Sequence, residues 1–395
     1  MKKKIIIITL LLVISIVGGI NLYKFIRIKT AKIEIDLKEN LNIDFNDKVR
    51  VSDYIESING KIVNDYLIDT SELGKKVVEF VFINEQGIKL KYKFNVNIVD
   101  TKEPVIWLNT SYRVKKGNTF KASDILCGDD YDPEPNCYIE GDYNTDIVGE
   151  YPLVYKAIDS SGNMNEEKFI LKVYEPQPRV GNNSKVEYTK FSDVIKEYKT
   201  SNIKIGIDVS AWQGDIDFEK LKKAGVEFVI IRVGGTKGTN GEYFLDKKFI
   251  QNISSANKYN IPVGLYFYSY ANSRESAIRD AEWVREQIKN YKVDLPIAFD
   301  WEEWSSFNEY NLSFFELSKI SEVFLETLGK YGYKGMLYSS KSYLEYIWFP
   351  TDYDIWLAHY TEDTDYQGKY RFWQLCDTGR VDGIKGNVDI DIMYY

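Results

Sequence analysis

From Ile203 onward the chain alternates short apolar runs with amphipathic segments, and this alternation constrains the fold more tightly than any other feature. The runs are IKIGIDV, EFVIIRV, PVGLYFY, LPIAFD, KGMLYS, YDIWLA, RFWQL and NVDID, eight in all. Apolar runs of this length, bounded by turn residues, read as buried parallel strands. Between the early ones lie helices with legible starts. Asp217 caps FEKLKKAG, Ser273 caps SRESAIRDAEWVREQIKNY, and Ser313 with Glu316 makes a capping box before a long helix ending at Gly332. The later gaps are too short for full helices. Eight strands with an incomplete helical ring predict an irregular (β/α) TIM-like barrel over residues 203–395, with its chemistry at the C-terminal ends of the strands.

Acids stand at those ends. Asp208 closes GIDV, Asp300 and Glu302 close LPIAFDWE, and Asp389 lies in the last run. The first and eighth strands become neighbours when a barrel closes, so Asp208 and Asp389 can share one site. Asp300 and Glu302 are two apart, which sends both side chains to the same face. Two carboxylates on one face cannot both ionise freely, so one pKa rises. Glu302, between aromatic walls, then holds the proton that a leaving oxygen needs. An ionised Asp300 either stabilises charge at an anomeric carbon or orients an acetamido oxygen as internal nucleophile, and the residues alone leave both routes open. Tyr266, Tyr268, Tyr338, Trp356, Tyr360 and Trp373 are candidate sugar platforms, and Gln374 a candidate partner for a sugar amide.

Other chemistries fall away. The single histidine, His359, reads as structural or peripheral, and no GxSxG elbow accompanies it. One His and three scattered Cys do not make a zinc site, so no metal and no cofactor are expected. A net charge of −8 argues against nucleic acid, whose phosphates call for basic stripes.

The N-terminal half carries different signals. Lys2, Lys3 and Lys4 precede an apolar run from Ile5 to Ile20, which is slightly short against the roughly 20 residues that span a bilayer. Basic-then-apolar is the export pattern. With no small-residue cleavage site and no Cys for a lipid, residues 1–29 read as an uncleaved transmembrane helix. The rest then faces the cell-wall side of the membrane, or is secreted if the segment is removed.

Next comes an internal repeat at an offset of 75 residues: DTSELGKKVVEFVFINEQG (69–87) aligns with NTDIVGEYPLVYKAIDSSG (144–162), pairing Gly74 with Gly149 and Gly87 with Gly162. Each copy is followed by an alternating strand, with Tyr92, Phe94, Val96 and Ile98 on one face in the first and Phe169, Leu171 and Val173 in the second. Period-two alternation between turns predicts two all-β sandwiches, 30–100 and 101–175. They resemble the bacterial immunoglobulin-like modules of surface proteins, through Asp159, Gly162 and Asn163 of the strand turn. That resemblance implies a spacer role. Cys127 and Cys137 flank an acidic insertion in the second module; export favours a disulfide between them, and Asp129, Asp130, Asp132 and Glu134, whose spacing fits no EF-hand loop, read as a solvated turn rather than a calcium site. Residues 176–202 read as a linker, and Cys376 as a buried thiol.

Residues 203–395 resemble the family 25 glycoside hydrolases, the lysozyme-type muramidases. The resemblance rests on GIDVSAWQG followed by IDF, YFYSYA, FDWE, WLAHY, FWQL and a terminal VDID, in that order. It implies an irregular (β/α) barrel that hydrolyses the β-1,4 bond between N-acetylmuramic acid and N-acetylglucosamine in bacterial peptidoglycan. It also implies Glu302 as catalytic acid, Asp300 assisting through the substrate, and Asp208 and Asp389 in support. The family's closing motif usually reads VDLN. Asp391 replaces the Asn, and if its charge lies beside Glu302, Asp391→Asn lowers the activity optimum. A non-catalytic wall-binding or adhesion protein that kept the barrel is the alternative, and the intact acids speak against it.

Overall fold

The computed structural model describes residues 2–108, 111–176, 187–239 and 241–395; the side chains of 2–15 and 305–306 lie outside that description. The chain divides into two compact units, Met1–Lys102 and Glu103–Tyr395.

The first unit opens with a 28-residue helix, Lys2–Lys29, whose last turn carries Arg27 and Lys29. Among the described residues no helix is long and apolar enough to cross a membrane. The run Ile5–Ile20 that motivates the transmembrane expectation falls mostly on residues whose side chains are not described. After it comes a β-rich module. Strands Gly74–Asn84 and Lys89–Val99 form an antiparallel hairpin, flanked by Asn42–Asp44 and Gly60–Ile62, with Ile35–Leu37 and Ile55–Ile58 paired separately. Val78, Phe80, Phe82, Phe94, Val96 and Ile98 face one core, as the alternation predicts.

The second unit begins with the other copy of the repeat. Gly149–Ile158 and Met164–Tyr174 pair as a hairpin, Ser111–Lys115 lies parallel to the latter, and Val105–Trp107 pairs with Leu126–Gly128. The topology matches the first module strand for strand. Its turn glycine, Gly162, takes the same left-handed φ as Gly87, +92° and +72°. Cys127 and Cys137 are joined as a disulfide, with Cα atoms 6.5 Å apart. The acidic insertion is more buried than a solvated turn. Asp129 Oδ1 accepts the amides of Tyr131 and Asp132, and Asp132 accepts those of Glu134 and Ser160, which builds the turn from within.

The barrel follows, with all eight expected strands: β1 (Ile203–Val209), β2 (Val229–Lys237), β3 (Val263–Tyr268), β4 (Ile297–Asp300), β5 (Gly335–Ser340), β6 (Asp354–Ala358), β7 (Phe372–Arg380) and β8 (Val388–Tyr394). Strands β1 to β7 run parallel; β8 runs antiparallel to both β7 and β1 and closes the ring. Asp217, Ser273 and Ser313 cap their helices as expected. The last helix, Lys341–Tyr346, is a short one, and β7 and β8 have none between them.

Side chains alternate about the barrel wall. Phe228, Ile230, Ala298, Met336, Trp356, Phe372 and Met393 fill the interior. Val229, Ile231, Leu265, Phe267, Ile297, Phe299, Leu357 and Trp373 meet the helices outside. A Cβ at Gly206 would come within 2.6 Å of the Phe228 ring, so a glycine lets that ring plug the barrel below Asp208.

The expected linker differs. Residues 177–186 lie outside the described residues, but Thr189–Lys190 adds to β7, and Phe191 and Val194 of the helix Phe191–Tyr198 enter the barrel's outer core. Those two apolar positions face one side of a short helix, so burial, not the weak overall pattern, decided its place.

One buried carboxyl makes stability depend on pH. Asp280 is 2 % exposed and accepts the hydroxyls of Ser269 and Tyr243 at 2.7 and 3.0 Å, while burial pushes its pKa from 3.8 to about 6. The folded protein therefore holds this proton more tightly than the unfolded chain. Its contribution is full below pH 4 and is lost as pH rises through 6, to the extent of about 3 kcal/mol. Asp280→Asn cannot ionise. Its unfolding free energy relative to the parent is expected to improve by about that amount between pH 4 and pH 7 in denaturant titrations; a pH-independent difference would contradict the assignment.

Candidate functional site

The barrel mouth gathers the predicted acids because its strands end there. Asp208 lies opposite Asp389 in the β1–β8 ladder, and Asp300 is the last residue of β4. Glu302 lies just beyond the strand. Between them Trp301 is buried in the layer outside the barrel, its Nε1 donating to the Ala271 carbonyl at 3.3 Å. With Trp301 pinned outward, its two neighbours take the opposite direction. The Ser269 amide donates to the Asp300 carbonyl at 2.8 Å, which ties the exits of β3 and β4 together.

Glu302 enters a cleft of about 540 Å³, walled by Tyr268, Trp304, Tyr338, Tyr343, His359 and Tyr360. Its side chain is open to water on the cleft side yet crowded by protein elsewhere. Desolvation first, and the charge of Glu303 second, raise its pKa. Asp300, 4 % exposed, is deeper. Burial pushes its carboxyl well above the usual range, Glu302 adds to the rise, and Arg232 opposes it. Its Oδ1 has no hydrogen-bond partner among the described residues. Glu302 raises Asp300, Glu303 raises Glu302, and burial is the largest cause at both, so in the free protein a proton is drawn toward Asp300 as well as Glu302.

A second set of contacts fixes Asp208. Gln374 Nε2 donates to Asp208 Oδ2 at 2.8 Å, while Gln374 Oε1 accepts the hydroxyls of Tyr338 and Tyr360 at 2.9 and 3.1 Å. Burial, then Asp389 and Asp391, hold Asp208 well above the usual range. Asp389 is raised to about 6 by burial and by Asp377. Asp391 is wholly buried, accepts Trp356 Nε1 at 2.8 Å and faces Asp208; burial pushes its pKa well up.

Several expectations need correcting. Gln374, the expected partner for a sugar amide, is 4 % exposed and its amide is held by Asp208 and two tyrosines behind the cleft wall. Trp356 is 2 % exposed and forms the floor beneath the acids. Trp373 is also 2 % exposed but lies outside the barrel, edge-on to Tyr198, because it precedes Gln374 and strand alternation turns the two to opposite faces. Of the six aromatic candidates, Tyr268, Tyr338 and Tyr360 line the cleft, and Tyr266 stands half-buried within reach of the charges of Asp208 and Asp300. The effect expected of Asp391→Asn also falls. Asp391 sits inside the barrel, and the charge that acts on Glu302 is that of Glu303.

Four residues escaped the sequence reading. Trp304 and Tyr343 wall the cleft, stacked with centroids 4.1 Å apart. Arg232, paired with buried Asp246 at 2.6 Å, is the cation that acts on Asp300. Its signal was available, since it is a charge set within the apolar run VIIRV of β2. Trp212, in the turn after β1, is 85 % exposed. His359 borders the cleft with Nδ1 2.9 Å from Thr364 Oγ1.

Gln374→Leu removes the donor to Asp208 and the acceptor of two tyrosine hydroxyls. It is expected to destabilise the second unit by about 2 kcal/mol or more in denaturant unfolding; a change below about 0.5 kcal/mol would show that these bonds do not hold the site together.

Residues 207–384 match the model of glycosyl hydrolases family 25. The chain is 30 % identical over 193 residues to Uncharacterized protein YegX of Escherichia coli (strain K12), covering 47 % of this chain and 68 % of that protein. It is 28 % identical over 194 residues to an autolytic lysozyme of Clostridium acetobutylicum, covering 47 % of this chain and 54 % of that protein. Among solved structures, the modular autolysin LytC of Streptococcus pneumoniae, in complex with a synthetic peptidoglycan ligand, aligns with a TM-score of 0.45 at 28 % identity, over 61 % of this chain and 56 % of that one. The match thus spans just over half of the two named lysins. Through its barrel, this chain belongs to the glycosyl hydrolases of family 25.

Proposed function

We propose that the chain is a peptidoglycan hydrolase that cleaves the β-1,4 bond between N-acetylmuramic acid and N-acetylglucosamine. The observation that carries this reading is the pairing of Asp300 and Glu302 at a cleft walled by aromatic rings, with both pKa values raised. A raised pKa keeps a proton available at neutral pH for the leaving oxygen, and flat rings suit the faces of sugars.

In this mechanism Glu302, reached from the cleft, protonates the glycosidic oxygen. As positive charge grows at the anomeric carbon, Asp300 ionises and gives its proton to water, because a cation within a few ångströms reverses part of its desolvation cost. The carboxylate then stabilises that charge directly or holds the acetamido group of the sugar in line, and a water molecule adds to the anomeric carbon, its proton returning to Glu302. Arg232 eases the ionisation. Asp208, bonded through Gln374 to Tyr338 and Tyr360, shapes the far side of the site, with Asp389 opposite it in the β1–β8 ladder. Support for this polymer as substrate comes from the family and from the relative named as an autolytic lysozyme.

We infer further that residues 1–29 tether the protein to the membrane with the remainder on the cell-wall side, from the lysines and apolar run of the sequence. The β-rich modules suit immunoglobulin-like spacers in that setting.

Purified peptidoglycan digested with the full chain is expected to release fragments with muramic acid at their reducing ends, read by mass spectrometry. Glu302→Gln should slow release by about a thousandfold, the scale of a lost general acid. Glucosamine ends would redirect the specificity, and binding without release by the parent would favour the adhesion protein.

A further inference from the structure

The second β module touches the barrel beside the site. Leu126, in its strand Leu126–Gly128, belongs to the same buried cluster as the barrel's outer core, with Val105 and Trp107 packed against that cluster. Backbone carbonyls of the module reach the start of the helix Phe314–Gly329: the Phe314 amide donates to Asp129 and the Phe315 amide to Asp130, at 2.8 and 3.2 Å. Two of the amides at that helix start thus find acceptors from outside the barrel, beside the Ser313 cap. Asn308 sits between, its Oδ1 accepting the Cys127 amide and its Nδ2 donating to the Ile125 carbonyl, both at 3.4 Å. Contact is close enough to require a glycine, since a Cβ on Gly128 would stand 2.6 Å from the Phe314 ring and 2.9 Å from that of Phe307.

These contacts bear on the cleft. The segment Trp304–Glu309, held by Asn308 and Phe307, starts two residues after Glu302, and the Trp304 amide donates to the Glu302 carbonyl at 2.8 Å. The Trp107 ring lies 5.0 Å from that of Tyr343, which stacks in turn on Trp304 at 4.1 Å. A run of rings therefore leads from the module to the wall that faces Glu302. Tyr343 and Trp304 have the module behind them on one side and the cleft on the other.

We propose that the second β module is a positioning part of the active site. Through Trp107 and the strand Leu126–Gly128 it sets the Trp304–Tyr343 wall, and so governs how tightly a glycan is held against Glu302. This inference rests on the proposed glycan-cleaving function, and it goes beyond the spacer role that the module's resemblance implies. Trp107 acts through Tyr343 and touches no substrate.

The test uses the full chain and a soluble tetrasaccharide of alternating N-acetylglucosamine and N-acetylmuramic acid. Trp107→Ala is expected to raise KM about tenfold and leave kcat within about threefold, as fits a wall that has lost its backing while the acids stay in place. Trp107→Phe, which keeps a ring against Tyr343, should recover most of the KM. Hydrogen exchange should quicken in residues 302–315 of Trp107→Ala and stay at the parental rate in β5. A folded variant with parental KM, whatever its kcat, or with parental exchange at 302–315, overturns the proposal. If Trp107→Ala does not fold, Gly128→Ala, which presses on Phe307 and Phe314 from the module side, is judged by the same two readings. If the parent itself does not cleave the glycan, the assigned function fails, and exchange at 302–315 still decides whether the module supports the wall.

Discussion

Strand β8 runs against its neighbours, and the electrostatics of the site depend on that reversal. A parallel eighth strand would need a crossover to enter; an antiparallel one follows β7 directly and lies between β7 and β1 with its acids at the mouth. Asp389 then faces Asp208, and Asp391 sits one layer lower against Trp356. Three carboxyls in so small a volume are kept from full ionisation by burial and by one another. Gln374, Tyr338 and Tyr360 join that cluster to the cleft wall, so the supporting half of the site is a hydrogen-bonded unit. The pair to which the chemistry is proposed, Asp300 at the end of β4 and Glu302 just beyond it, belongs to another strand exit of the same mouth.

Fold and function meet in the alternation of side chains. On β1, Gly206 and Asp208 both point inward, and the Phe228 ring fills the space that the glycine leaves open. On β4, the outward anchoring of Trp301 sends Asp300 and Glu302 toward the cleft. The difference in depth between them is chemically useful. In the proposed mechanism the deeper group, with the larger desolvation cost, answers to positive charge, while the shallower group meets the leaving oxygen.

Much of this was legible in residues. The eight apolar runs became the eight strands, the caps at Asp217, Ser273 and Ser313 began helices, the 75-residue repeat became two modules of one topology, and the acids met where barrel closure requires. What escaped was tertiary. Trp373 and Gln374 were grouped as site residues because they are adjacent in a motif, yet period two separates them. Trp356 looked like a platform until its indole proved bonded to Asp391. Tyr343 and Trp304 lie in helical segments of six residues each, too short to carry a periodic signal. The docking of the second module relies on Trp107, Leu126 and Gly128, single residues whose partners are some 180 to 240 positions away. No local pattern announces such a contact.

The account's central claim is that buried, mutually repelling carboxyls keep a proton at the barrel mouth under neutral conditions. The pH dependence of kcat/KM, which reports groups of the free protein, tests it most directly. A bell whose two limbs both lie above the ordinary carboxylate range of about 4 is the predicted result. A profile governed by one ordinary carboxyl near 4 and flat to about pH 8 would contradict it.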